Sequence, residues 1–143
     1  MERGWLVAAG SVNLAAALLH LACIFGGPAW YRFLGAGEGM ARLAEMGSPK
    51  PALITLGIAA VLSAWAAYAF SGAGILPRLP LLRPALIAIC GIYALRAAAL
   101  PLMLAHMPDR SSAFLYWSSL VVLLFAIVHG IGIWLNWNRL APD

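Results

Sequence analysis

The stretch "AFLYWSSLVVLLFAIVHGIGIWLN", residues 113–136, contains no Asp, Glu, Lys or Arg. A helix on the surface of a soluble protein carries a charged face opposite its apolar one. Here, aromatic rings aside, polar atoms occur only at Ser118, Ser119, His129 and Asn136. As a helix the stretch would rise about 36 Å, enough to cross roughly 30 Å of hydrocarbon. Three more apolar runs lie at 5–26, 51–70 and 84–104.

Of the 143 residues, 64% are hydrophobic and 10% charged, whereas about 25% are charged in an ordinary soluble domain. The expectation is an all-α integral membrane protein, one domain over 1–143, built as a four-transmembrane-helix antiparallel bundle. The first run is too long for the usual signal-peptide core of about 7–15 residues. In "LHLAC", residues 19–23, histidine also stands where a lipoprotein signal carries leucine. A retained helix is expected.

The connections differ in kind. "SGAGILPRLPLLRP", residues 71–84, is rich in Gly and Pro and reads as a hairpin. "AHMPDRSS", residues 105–112, is short, with Ser111 or Ser112 placed to cap the last helix. Residues 28–51 form the long connection. Trp30 and Tyr31 there suit the water–hydrocarbon boundary, and Met40, Leu43 and Ala44 recur at helical spacing. We expect an amphipathic interfacial segment over 30–46, with Glu38 and Arg42 as an i,i+4 pair. The glycines of "GAGEG", residues 35–39, lack the spacing of a phosphate-binding loop.

Apart from Arg96, the net charge of +4 sits on the connections and the chain ends, with no basic run of the kind that binds nucleic acid. Arg3, Arg78, Arg83 and Arg139 fall on the side of the termini, and Arg32, Arg42, Lys50 and Arg110 on the other. Asp109 adds little, because orientation follows Lys and Arg. Partial burial of the long connection tips the balance towards cytoplasmic termini. Frequent Ala, Gly and Arg beside a single lysine suggest a GC-rich bacterial gene, and hence the bacterial inner membrane.

At about 100° per residue, each helix gathers its small and polar residues on one stripe. These are Gly10, Asn13, Ala17 and His20 on the first; Gly57, Ala60, Ala64, Ala67 and Ser71 on the second; Ile89, Ile92, Arg96, Ala99 and Met103 on the third; Ser118, Val122, Phe125, His129, Gly132 and Asn136 on the fourth. Such stripes let backbones approach in lipid. Measured from the face holding the termini, Asn13 lies at about 12 Å, His129 at about 10 Å, Arg96 at about 18 Å, His20 at about 22 Å and Ser118 at about 26 Å. Two polar layers follow: Asn13 with His129, and Arg96 with His20 and Ser118. Cys23 and Cys90 fall at different depths, too far apart for a disulfide.

The depth difference between His20 and His129, about 12 Å, argues against a haem held by both, since axial ligands share one iron. No His, Cys, Asp and Glu combination supplies three metal ligands at one level. None of the four runs contains a carboxylate, so catalysis would need His20 with Glu38 brought from the long connection. Arg96 stays protonated and needs an acceptor. It can take backbone carbonyls and hydroxyls, or snorkel to water. Alternatively it meets the anionic or carbonyl head of a lipid, fatty acid or quinone, with His20, Ser118, Tyr93 and Glu38 as further contacts. Binding or passing such an amphiphile is the leading expectation, with the cofactor, if any, undefined. The competing class is an accessory subunit or homo-oligomer, in which Arg96 pairs with a partner's carboxylate.

Overall fold

The computed structural model describes residues 2–107 and 110–141, so Pro108 and Asp109 of the third connection lie outside the described residues. Among the described residues six helices follow one another: α1 (Glu2–Phe33), α2 (Glu38–Glu45), α3 (Lys50–Ala73), α4 (Leu82–Ala98), α5 (Leu100–His106) and α6 (Ser112–Leu135). No strand occurs among the described residues. Three helices, α1, α3 and α6, are long and apolar enough to cross a membrane, and α4 and α5 meet that condition together as a pair bent by 51°.

The break after Ala98 departs from the single helix expected over 84–104, and Pro101 explains it. Its nitrogen has no hydrogen to give the carbonyl of Ala97, and its ring crowds that oxygen. Ala99 closes α4 by donating its N–H to Leu95 O at 3.0 Å, and Met103 resumes the helix on Ala99 O at 3.0 Å. The first helix runs past its expected end at 26. Gly27, at φ 65° and ψ −151°, turns the backbone through a region open to glycine, and Pro28 restarts the helix as far as Phe33.

Other ends follow local chemistry. Gly74, at φ 78°, closes α3, with the N–H of Ile75 reaching back to Phe70 O at 2.9 Å. Ser71 Oγ donates to Pro77 O at 2.8 Å and accepts from Leu79 N–H at 3.0 Å, which folds the 74–81 connection back on itself. Ser111 caps α6, its hydroxyl accepting from Phe114 N–H at 3.2 Å.

Helix α1 packs along α3 and α6, and α4 packs mainly on α6. Ala9 and Ala69 are fully buried and let α1 and α3 come close, while Leu6, Leu86 and Leu140 fill the core between them and the neighbouring helices. The buried face of α3 is Thr55, Ala59, Leu62, Ala66, Ala69 and Ala73. That corrects the expected stripe: of its members only Ser71 is buried, and Gly57, Ala60 and Ala64 are exposed.

At one end of the molecule Asn136 Nδ2 donates to Glu2 O at 2.9 Å, and Arg78 donates to Arg139 O at 3.1 Å, Leu140 O at 3.3 Å and Ala141 O. The segment after α6 therefore holds both the start of α1 and the 74–81 connection there. At the other end α2 lies against α1, with Cys23, Tyr31 and Ala41 buried together, and Arg110 donates to Ala36 O at 3.4 Å. Tyr31 is thus a packing residue and not an exposed boundary ring.

Candidate functional site

Two groups of polar side chains join the helices to one another. The first is closed on itself. Asn13, fully buried on α1, donates from Nδ2 to its own helix at Ala9 O, 3.0 Å, and meets His129 Nε2 on α6 at 2.9 Å. His129 Nδ1 lies 2.7 Å from Phe125 O. A carbonyl only accepts, so Nδ1 carries the hydrogen and Nε2 receives the amide N–H of Asn13. From α4, Tyr93 donates its hydroxyl to Asn13 Oδ1. Three helices are tied by this triad with every polar atom of Asn13 in use.

Aromatic edges surround it. The Tyr93 ring centroid lies 5.1 Å from Trp65, 5.4 Å from Phe125 and 5.4 Å from His129, with Trp65 and Phe125 meeting it edge to face. Trp65, from α3, is a wall of the triad. With both ring nitrogens engaged, His129 keeps no lone pair for an iron.

The second group is open. Arg96, half-buried in the last turn of α4, donates from Nη1 to Ser119 Oγ at 3.1 Å and from Nη2 to Ser118 Oγ at 3.2 Å. Ser118 passes its own hydrogen to Leu115 O at 3.2 Å. Both acceptors are neutral hydroxyls, and they use two of the five N–H groups of the guanidinium. Ser119 was absent from the sequence-based site, because it falls about 100° off the Ser118 stripe; a long arginine reaches both.

The remaining expected members of this group lie elsewhere. Tyr93 belongs to the Asn13 triad. His20 is half-buried and turns Nδ1 to Ala16 O of its own helix at 2.8 Å, with no hydrogen bond to Arg96. Glu38 begins α2 and takes a two-pronged contact from Arg32, 2.9 Å to Nε and 2.8 Å to Nη2, plus Arg42 at 3.3 Å. Arg32 also reaches Glu45 at 2.8 Å. These bonds from Arg32, aided by Arg42, hold the exposed Glu38 carboxyl well below its ordinary value, at about 2.

Two concavities flank the layers. One, of about 230 Å³, is lined by Arg32, Glu38, Arg110, Ser111 and Phe114. Its Phe114 stands one helical turn, about 6 Å, from Ser118 on α6. The other, of about 550 Å³, lies at the end holding the termini, between the 78–81 segment, the start of α4 and Leu140. No family model, curated protein or solved structure matches the chain.

Proposed function

We propose that the chain is an integral membrane protein, a four-helix antiparallel bundle in which the bent α4–α5 pair makes one crossing, and that it binds or passes a small amphiphile at Arg96. The observation that carries the reading is a half-buried guanidinium, at the break in an apolar crossing, hydrogen-bonded only to two hydroxyls among the described residues. An ionised group in that position needs an anion or a strong dipole. The head of a fatty acid or phospholipid, or the carbonyl of a quinone, fits the three unused N–H donors. The concavity beside Arg110 and Ser111, whose Phe114 stands one turn from Ser118 on α6, would be the polar entrance for such a head.

In this reading the binding residues are Arg96, Ser118 and Ser119. The ion cluster of Arg32, Glu38, Glu45 and Arg42 ties α2 to the end of α1 and so covers that entrance as an interfacial segment. The membrane is the bacterial inner membrane, with both termini in the cytoplasm. Native mass spectrometry of protein released gently from its own membranes, wild type against Arg96→Ala, tests the proposal. A discrete bound mass lost in the variant supports it; bare folded protein in both samples sinks it.

One observation favours a second reading, an accessory subunit or homo-oligomer. Gly57, Ala60 and Ala64 form an outward stripe on α3, and a Cβ added at Gly57 meets nothing within 4 Å. Small residues facing lipid admit another helix at close range. Gly57→Leu should then leave the monomer folded and abolish its association in mild detergent, whereas a wild type that is already monomeric contradicts this reading.

A further inference from the structure

The larger concavity stands apart from Arg96 and has its own chemistry. Its walls are mostly aliphatic, from Leu79, Leu81, Leu82, Pro84 and Leu140, with Arg78 and Arg83 as the charged members. The guanidinium carbon of Arg83 sits 4.4 Å from the centre of the Trp137 ring. Stacking of this kind covers the flat face of the group and leaves its in-plane N–H donors for another partner. No described residue takes a hydrogen bond from the buried Nε of Arg83.

The charge around it is one-sided. Arg3, Arg78, Arg83 and Arg139 gather at this end, against Glu2 alone among the described residues. Arg78 donates to three backbone carbonyls, which fix it in place, and no described carboxylate pairs with it. In the first turn of α4, Pro84 has no N–H and Ala85 donates to Leu81 O at 2.9 Å, which leaves the N–H groups of Leu82 and Arg83 without an acceptor among the described residues. Trp134 and Trp137 are exposed nearby, as expected at the boundary between hydrocarbon and water. At the rim Leu81, 77% exposed, adopts φ 54°, a conformation leucine takes only against steric resistance.

We propose that this cleft binds the phosphate headgroup of an anionic phospholipid, with Arg83 as the phosphate-binding residue and the leucine walls against the upper acyl chains. A soluble phosphate would have no use for aliphatic walls; a lipid in the adjoining leaflet uses both parts. Basic clefts at the ends of membrane helices capture anionic lipid for this reason.

The test is native mass spectrometry of the full chain titrated with phosphatidylglycerol or phosphatidylcholine. Wild type should hold phosphatidylglycerol at least about fivefold better, the ratio expected for one well-placed arginine. Arg83→Gln should bring the ratio near one, and Lys50→Gln, which removes an exposed charge at the start of α3 outside both sites, should leave it unchanged. Leu79→Trp, which fills the cleft and keeps every arginine, should also lower phosphatidylglycerol binding, and it carries the test if Arg83→Gln does not fold. Equal binding of the two lipids by wild type, or a preference that survives either cleft substitution in folded protein, overturns the proposal. So does a preference abolished by Lys50→Gln, or an adduct displaced by millimolar inorganic phosphate.

Discussion

Tyr93 and Arg96 stand three residues apart on α4 and serve opposite ends of the bundle: Tyr93 donates to Asn13 Oδ1, and Arg96 donates to Ser118 and Ser119. Their Cα atoms differ by about 4.5 Å along the axis, yet on α6 their partner layers, at His129 and Ser118–Ser119, are about 15 Å apart. The tyrosine leans towards the start of its helix, as helical side chains do. The arginine extends the other way, towards Ser118, Ser119 and the bend before Pro101. One layer is closed, and the other keeps three N–H donors with no partner among the described residues.

The closed layer should matter for stability. Tyr93→Phe removes one donor and should cost about 1 kcal/mol, while Asn13→Leu strands both His129 Nε2 and the Tyr93 hydroxyl and should cost about 2–3 kcal/mol. Unfolding of the purified protein in mixed micelles reads both. A neutral Asn13→Leu would mean that the triad contributes nothing. Nitrogen chemical shifts of His129 should show hydrogen on Nδ1 and none on Nε2.

Two glycines should respond in opposite directions. A Cβ at Gly132 meets Leu6 Cδ2 at 2.9 Å and the Leu6 backbone nitrogen at 3.3 Å, so α1 would have to move. Gly132→Ala should therefore destabilise by about 1–3 kcal/mol. Gly57 faces open space, and Gly57→Ala should be neutral or stabilise by up to about 1 kcal/mol through helix propensity. Thermal denaturation of the two variants separates them.

The ion cluster at α2 has a pH signature. Glu38 titrates at about 2, below its ordinary 4.5. A lowered carboxylate value means the contact stabilises the fold above about pH 4.5 and is lost as pH falls through about 2. The carboxyl carbon shift of Glu38 should follow that curve. Arg32→Gln should return the midpoint towards 4.5, and an unchanged midpoint would remove Arg32 as the cause.

Counting residues from the termini put Asn13 and His129 at one level, and they are in contact at 2.9 Å. Depth along a helix is readable because the rise per residue is constant. Side-chain direction is less so, which is why Tyr93 joined the wrong layer and why Trp65 was missed. On α3 small residues occur all round the helix, as Gly57, Ala60 and Ala64 on one side and Ala59, Ala66, Ala69 and Ala73 on the other. In an apolar solvent no polarity difference tells such stripes apart, so the buried one was not legible. His20 turns Nδ1 to a carbonyl of its own helix, a choice of side-chain direction that residue counting does not give.

The most direct test of the Arg96 site is photolabelling in native membranes with a fatty acid carrying a diazirine next to its carboxylate, followed by mapping of the modified peptide. The account predicts adducts on α6 at or beside Ser118 and Ser119, lost in Arg96→Gln while the protein remains folded. Label spread over the exposed faces of α3 and α6 alike, or the same α6 adducts with and without Arg96, would contradict it.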